Sequence, residues 1–198
     1  MSAPSRGSIL PRTLSMKLLL ALAFAFGLAA VVPAAAQTAP AKAGPSIVLE
    51  TTKGAVTIRL RPDLAPKHVE RIVRLVNEKF YDGVPFHRVI AGFMAQTGDP
   101  TGTGTGGSKY PDVPAEFSKE SFKRGVVGMA RAGSPNSANS QFFICFAASP
   151  WLDGQYTIVG EVTQGMDVVD KLNKGSGAGG MVTNPDKVTS ARLVGAAG

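Results

Sequence analysis

The sequence predicts a mainly β fold, a sandwich or barrel with two helices at its ends, and three observations carry that reading. Short segments of alternating apolar and polar residues recur along the chain, the period of strands with one buried face. Only two stretches show helical spacing, so a βαβ fold with a parallel sheet is disfavoured. The 23 glycines and 14 prolines supply the many turns that short strands require.

Residues 1–36 carry Arg6, Arg12 and Lys17, an apolar run at 18–32, then Pro33 and three alanines before Gln37. This order matches a cleavable secretory signal peptide, with processing expected after Ala36. An uncleaved anchor would want a longer apolar run. Met16 competes with Met1 as the true start, since it gives a leader of more ordinary length. Residues 37–45 (QTAPAKAGP) form a flexible linker with too little apolar surface to fold. One folded domain is therefore expected over 46–198, in a periplasmic or secreted setting, with no stable membrane span after cleavage.

IVLET (47–51) and AVTIRLR (55–61), joined by Thr52-Lys53-Gly54, read as a hairpin in which Val56, Ile58 and Leu60 share the buried face. A helix follows: Pro66 suits its first turn, Val69, Ile72, Val73, Val76 and Phe80 form one apolar stripe, and Tyr81-Asp82-Gly83 ends it. Strands recur at FHRVI (86–90), FMAQTG (93–98), GVVGMA (125–130), QFFICF (141–146) and YTIVGEV (156–162). A second short helix fits MDVVDKLNK (166–174), and VTSARLV (188–194) is the last strand. Pairing that strand back to the first would remove exposed edges.

The formal charge of +7 falls to +4 over residues 37–198, because the leader holds three basic residues and no acidic one. No basic run is interleaved with aromatics, so nucleic acid is not an expected partner. The single cysteine, Cys145, cannot form an internal disulfide and suits a small apolar packing role in FFICF. No metal-spaced histidines, cysteine pairs or P-loop lysine occur, so neither a metal nor a cofactor is expected. GTGTGG (102–107) satisfies G-x-G-x-x-G, but Lys109, Tyr110, Pro111 and Pro114 follow and forbid the helix that a phosphate site needs. It reads as a flexible surface loop.

Arg88 is the residue that points to function. On a strand, Phe86, Arg88 and Ile90 should face one way and His87 and Val89 the other, so apolar neighbours flank a guanidinium that cannot escape burial by losing its proton. It must pair with an acid, snorkel to solvent or meet a ligand. Phe93, Met94 and Gln96 lie a few residues on, the makings of a small apolar pocket with polar edges. No nucleophile with a paired base is evident, since the only histidines are His68 and His87, and chemistry without a covalent step is the better reading. MARAGSPNSANSQFF (129–143) is a strand connection that could present Ala130 and Arg131 backbone groups to an extended peptide. Trp151 suits either a pocket edge or the core.

FHRVIAGFMAQTGD (86–99), GMARAGSPNSANSQFFICF (128–146) and WLDGQYTIVGEV (151–162), in this order, resemble the cyclophilins, the peptidyl-prolyl cis/trans isomerases. The resemblance runs from about Ile47 to Val194. It implies a closed eight-stranded antiparallel β-barrel capped by two α-helices, and an enzyme that rotates X-Pro bonds in unfolded or extended proteins without a cofactor. It implies a catalytic role for Arg88 and an orienting one for Gln96. Phe93, Met94, Phe143 and Leu152 would wall the proline pocket. Ala130, Arg131, Ala132 and Gln141 would bind the residues before proline, and Trp151 would contact a cyclosporin-type ligand. Three features depart from the best-known eukaryotic members: Tyr156 stands in place of a histidine at the pocket edge, Arg131 replaces an asparagine, and the loop 133–140 is longer. Tyrosine at 156 resembles bacterial exported forms. A non-catalytic proline-peptide-binding chaperone on the same scaffold is the alternative, and Arg88, Phe93 and Gln96 together favour the enzyme. Nothing in the sequence demands more than a monomer.

Overall fold

The computed structural model describes residues 44–195; the expected signal peptide and residues 37–43 of the linker lie outside them. All eight expected strands are present: β1 (Ser46–Thr51), β2 (Gly54–Leu60), β3 (Arg88–Ile90), β4 (Met94–Thr97), β5 (Val126–Met129), β6 (Phe142–Cys145), β7 (Ile158–Gln164) and β8 (Val188–Val194). They form one antiparallel sheet in the order β3-β4-β6-β5-β7-β2-β1-β8. The linker's last residue already belongs to the fold, because the Pro45 carbonyl accepts the Leu60 N–H at 2.9 Å.

The closed barrel expected above is not formed; the sheet is an open half-barrel whose edges are β3 and β8. The terminal strand pairs with β1 as expected, but that leaves its other edge unpaired with β3. Closure stops at an isolated bridge between Pro85 and Lys187, with Phe86 N–H donating to Asp186 O (2.8 Å) and Val188 N–H to Val84 O (2.9 Å). β3 is only three residues long, and Pro85 has no N–H to extend the ladder. The same irregularity breaks the expected alternation. Phe86 is buried in the main core beside Val89 rather than on the Arg88 side, because the strand begins only at Arg88.

The main core lies on one face of the sheet, where Leu49, Ile58, Phe142 and Ile144 meet Val69, Ile72, Leu75 and Val76 of α1 (Pro66–Asn77). A second cluster, Met94, Phe122, Phe143, Cys145, Leu152 and Ile158, fills the other face. Alternate residues of β6 therefore enter opposite cores, and all four are buried. Cys145 packs as a small apolar group, and burial pushes its thiol up to about 12.

The first helix stops before its apolar stripe does. Lys79 takes the left-handed conformation (φ 57°), Phe80 N–H reaches back to Leu75 O (2.9 Å) and Lys79 N–H to Val76 O (3.0 Å), the bond pair of a Schellman cap. Phe80 still packs on the core, but from the cap. The second helix, α2 (Met166–Asp170), is shorter than expected because Asn173 N–H turns to Asp186 Oδ2 (2.8 Å) and Lys174 Nζ bonds the carbonyls of Asp170 and Leu172.

At the start of α1, Ala65 offers no side-chain cap. Glu116, from a distant loop, supplies it: Oε1 accepts Lys67 N–H (3.2 Å), while Oε2 accepts His68 N–H (3.1 Å) and meets His68 Nδ1 at 2.7 Å. A carboxylate there also complements the helix dipole. Burial outweighs the Glu116 contact and keeps the fully enclosed His68 neutral. Burial would raise the Glu116 carboxyl, but the His68 and Lys67 donors hold it below its ordinary 4.5. Its stabilisation is thus present above pH 4.5 and is lost as pH falls through the lower folded-state value. Glu116→Ala should cost about 1–3 kcal/mol near neutral pH, and urea titrations of variant and parent should converge as pH falls below 4.5.

Candidate active site

Antiparallel pairing builds the site. Arg88 on β3 stands opposite Gln96 on β4, and Gln96 opposite Phe143 on β6. Period-2 alternation then sends Arg88, Met94, Gln96 and Phe143 to the face away from the main core. A cleft of about 490 Å³ opens there, lined by His87, Arg88, Phe93, Met94, Gln96, Gly104, Ala130, Arg131, Phe143, Trp151, Leu152 and Tyr156. A second cleft of about 490 Å³ shares Gln96, Gly104, Ala130 and Arg131 and adds Ala132, Gln141 and the loop 104–108. Every residue singled out from the sequence lies in one of the two.

Arg88 is half-buried, and its guanidinium is held on two sides. Nε donates to Gly179 O (2.9 Å) and Nη1 to Gln96 Oε1 (3.1 Å). Among the described residues no carboxylate forms a salt bridge with it, so the structural ion pair that could have explained an arginine here is not made. Its anchors are neutral and leave the positive charge uncompensated. Gln96 Nε2 donates in turn to Gln141 Oε1 (2.8 Å).

The apolar end is a cup of rings and sulfur. Phe143 stacks on Phe122 (centroids 5.8 Å) and meets Tyr156 edge-on (5.9 Å). A Cβ on Gly128 would lie 2.6 Å from both the Phe122 and Phe143 rings, so only glycine lets β5 pass beneath them. Trp151 sits on a single 3₁₀ turn (Pro150–Leu152), 57% exposed, with its ring 5.6 Å from Phe93. This places it at the pocket edge and removes the core-filling alternative.

The Arg131 guanidinium lies 4.5 Å from the Tyr156 ring centroid and donates to the carbonyls of Gln155, Ala132 and Gly133. The Ala130 N–H is taken by Gln141 O (2.9 Å) and the Ala132 N–H by Ser137 Oγ (3.0 Å).

Two parts of the site escaped the sequence reading. GTGTGG is not a free surface loop: its Gly104 and Gly106 N–H groups bond the buried Asp99 carboxylate at 2.7 and 3.1 Å. His87 lines the cleft next to Arg88 although strand alternation assigned it to the other face, and only the late start of β3 explains this. Both of its ring nitrogens are buried without a partner among the described residues. No ion-binding group of histidine, cysteine or carboxylate side chains occurs among the described residues.

The half-barrel thus carries, beside an apolar cup, an arginine with no carboxylate partner among the described residues. That arrangement fits the sequence resemblance to peptidyl-prolyl isomerases, and the comparisons with known proteins agree with that class. The family model for cyclophilin type peptidyl-prolyl cis-trans isomerase/CLD matches residues 46–193. A probable peptidyl-prolyl cis-trans isomerase of Brucella suis is 58% identical over 160 residues, covering 75% of this chain and 82% of the relative. Peptidyl-prolyl cis-trans isomerase-like 3 of Rattus norvegicus is 44% identical over 134 residues, covering 65% and 82%. Among solved structures, a cyclophilin from Hirschia baltica aligns with TM-score 0.67 at 31% identity, covering 75% of this chain and 73% of that one. A Cryptosporidium parvum cyclophilin crystallised in the presence of the dipeptide Ala-Pro aligns with TM-score 0.69 at 27% identity, covering 75% and 98%. The chain belongs to the cyclophilin-type peptidyl-prolyl cis-trans isomerases.

Burial holds His87 below its ordinary 6.5, and the neighbouring Arg88 charge adds to this, against the opposing pull of Asp99. As pH falls through 6.5 the ring should therefore stay neutral. Isomerase kcat/KM should show no inflection at 6.5 and only a lower one, read from a pH–rate profile; a step at 6.5 would mean that the ring is solvated in the working enzyme.

Proposed function

We propose that this isomerase works by gripping the proline ring in the cup of Phe93, Met94, Phe143 and Leu152 while Arg88 donates a hydrogen bond to the prolyl nitrogen. Amide resonance sets a rotation barrier of about 18–20 kcal/mol, and uncatalysed X-Pro exchange takes roughly tens to hundreds of seconds. A planar amide nitrogen is a poor acceptor, whereas the nitrogen of the twisted bond has a localised lone pair. A donor fixed beside it is therefore bonded more strongly in the transition state than in the ground state, which is the condition for acceleration.

The observation that carries this reading is the pair of neutral anchors on Arg88, Gly179 O and Gln96 Oε1. They orient the fork and leave its charge available, so little reorganisation is needed when the bond twists. The Ala130 and Ala132 N–H groups are already used within the protein, which favours Arg131 as the main-chain contact for the residue before proline. Trp151 and Tyr156 close the rim, and a cyclosporin-type ligand would rest against Trp151. The substrates are proline-containing unfolded or extended polypeptides, as the Ala-Pro dipeptide with the Cryptosporidium parvum relative supports for the proline itself. With the leader removed after Ala36, the enzyme would assist folding outside the cytoplasm, in a periplasm if the source is a double-membraned bacterium.

Isomerisation of a short X-Pro peptide by residues 37–198 tests the mechanism. Arg88→Ala should lower kcat/KM by about 10²–10³-fold with the fold intact. Arg88→Lys should recover little of it, since an ammonium cannot bond Gly179 and Gln96 while still presenting a rigid donor. An unchanged rate in folded Arg88→Ala would remove Arg88 from the mechanism. Export is tested separately: the mass of the protein recovered from outside the cytoplasm should correspond to a chain beginning at Gln37.

A further inference from the structure

Asp99 lies just past the end of β4, wholly buried, and takes no direct part in the cleft. Its Oδ1 accepts Thr101 N–H (2.8 Å) and Thr101 Oγ1 (2.7 Å); Oδ2 accepts Gly104 N–H (2.7 Å), Gly106 N–H (3.1 Å) and Thr103 Oγ1 (3.4 Å). Burial alone would raise this carboxyl, but the Thr101, Gly106 and Gly104 donors overcome it and hold it at about 2. The loop 101–106 is thus wound round one negative charge. Gly106 is essential to that winding, since a Cβ there would come within 2.1 Å of Asp99 Oδ1.

Two carbonyls of the same loop, Gly104 O and Gly106 O, both accept from Gln141 Nε2, at 3.0 and 2.8 Å. The consequence is directional. Carbonyls can only accept, so Gln141 must turn its NH₂ to the loop and its Oε1 to Gln96; Gln96 must then turn its NH₂ to Gln141 and its Oε1 to Arg88. Those are the bonds observed, Gln96 Nε2 to Gln141 Oε1 at 2.8 Å and Arg88 Nη1 to Gln96 Oε1 at 3.1 Å. Were the loop not held, either amide could rotate and set donor against donor at the guanidinium.

We propose that Asp99 is a positioning residue for catalysis: by organising the glycine-rich loop it fixes the polarity of the Gln141–Gln96 relay, and so the orientation of Arg88. The glycines that mimic a phosphate cradle in the sequence here wrap an anion belonging to the chain itself. The inference rests on Arg88 being the catalytic group.

The test is a set of variants of the full chain, each first checked for folding by near-UV circular dichroism and urea unfolding. Asp99→Asn keeps the shape but puts an NH₂ against the loop's N–H donors. It should lower kcat about tenfold or more with little change in KM. Gln141→Ala, which cuts the relay at a half-buried side chain, should give a similar loss, and the double variant should be no worse than the poorer single one. Adding Asp99→Asn to Arg88→Ala should have no further effect. Parent-like kcat in folded Asp99→Asn, or losses that multiply with Gln141→Ala, would overturn the proposal while leaving Arg88 in place. A parent-like rate in Arg88→Ala would instead sink the catalytic reading beneath it. Should Asp99→Asn not fold, Thr101→Val, which deletes one exposed donor to the same carboxylate, carries the test. A smaller kcat loss absorbed by Gln141→Ala supports the relay, and no loss or a multiplied one rejects it.

Discussion

A guanidinium cannot discharge itself, so a half-buried arginine without a carboxylate partner must be satisfied by neutral acceptors, and the rest of this site is arranged to supply them to Arg88. A carboxylate would hold the side chain more tightly, but it would also spend the charge on a fixed partner and raise the cost of offering a donor to a substrate nitrogen. Gly179 O and Gln96 Oε1 hold position without neutralising. The first comes from the chain between α2 and β8, the second from the neighbouring strand. Arg88 is thereby tied both to its neighbouring strand and to the segment around Gly179–Met181, which also bonds Val89 and bridges to Arg88. The short β3, at one end of the sheet, places the Arg88 side chain in the cleft.

The sheet could not carry this site if it had a single core. β4, β5 and β6 are covered on one face by the main core and on the other by the cluster around Met94 and Phe143. The floor of the aromatic cup is therefore the top of a packed interior, and its rings have little freedom to adjust. Gly128 shows how close the fit is: the strand passes beneath two phenylalanine rings with no room for a methyl group. Rigidity in the cup and neutral anchoring of the arginine both preorganise the site, which is what the proposed stabilisation of a twisted bond requires.

Much of this was legible in the sequence, and the reasons divide cleanly. The strands were readable because alternation is a local signal, and α1 because its stripe is. Arg88 was readable because a charge in an apolar strand is anomalous without knowledge of the fold. What escaped was set partly by contacts distant in sequence and partly by local backbone conformations that leave no periodic signal. Phe86 and His87 exchange faces because β3 begins only at Arg88, just after Pro85 has bridged to Lys187, about a hundred residues on. Phe80 falls off the helix through a cap conformation that Lys79, not a glycine, adopts. The order in residues 101–106 depends on the Asp99 carboxylate being buried, which no periodic pattern signals. Edge strands left open by Pro85 could not be told from a closed barrel by counting strands.

Arg131 and Tyr156, which from the sequence were two separate departures from the better-known eukaryotic pattern, are in space a single feature. The guanidinium stacks over the phenol ring at 4.5 Å and bonds three loop carbonyls, two of them one and two residues along its own chain and the third from Gln155, beside Tyr156. Either substitution alone would be poorly served. An imidazole under this guanidinium would bring a group that titrates near neutral pH against a fixed positive charge, whereas an aromatic ring offers the cation its π face. An asparagine above the tyrosine could not span from its own loop to Gln155 O. The pair braces the rim of the cup from outside, with Tyr156 in turn edge-on to Phe143. In the binding mode proposed above, variation at this rim would alter what the groove accepts before proline, while Arg88 keeps its own anchors in Gly179 O and Gln96 Oε1.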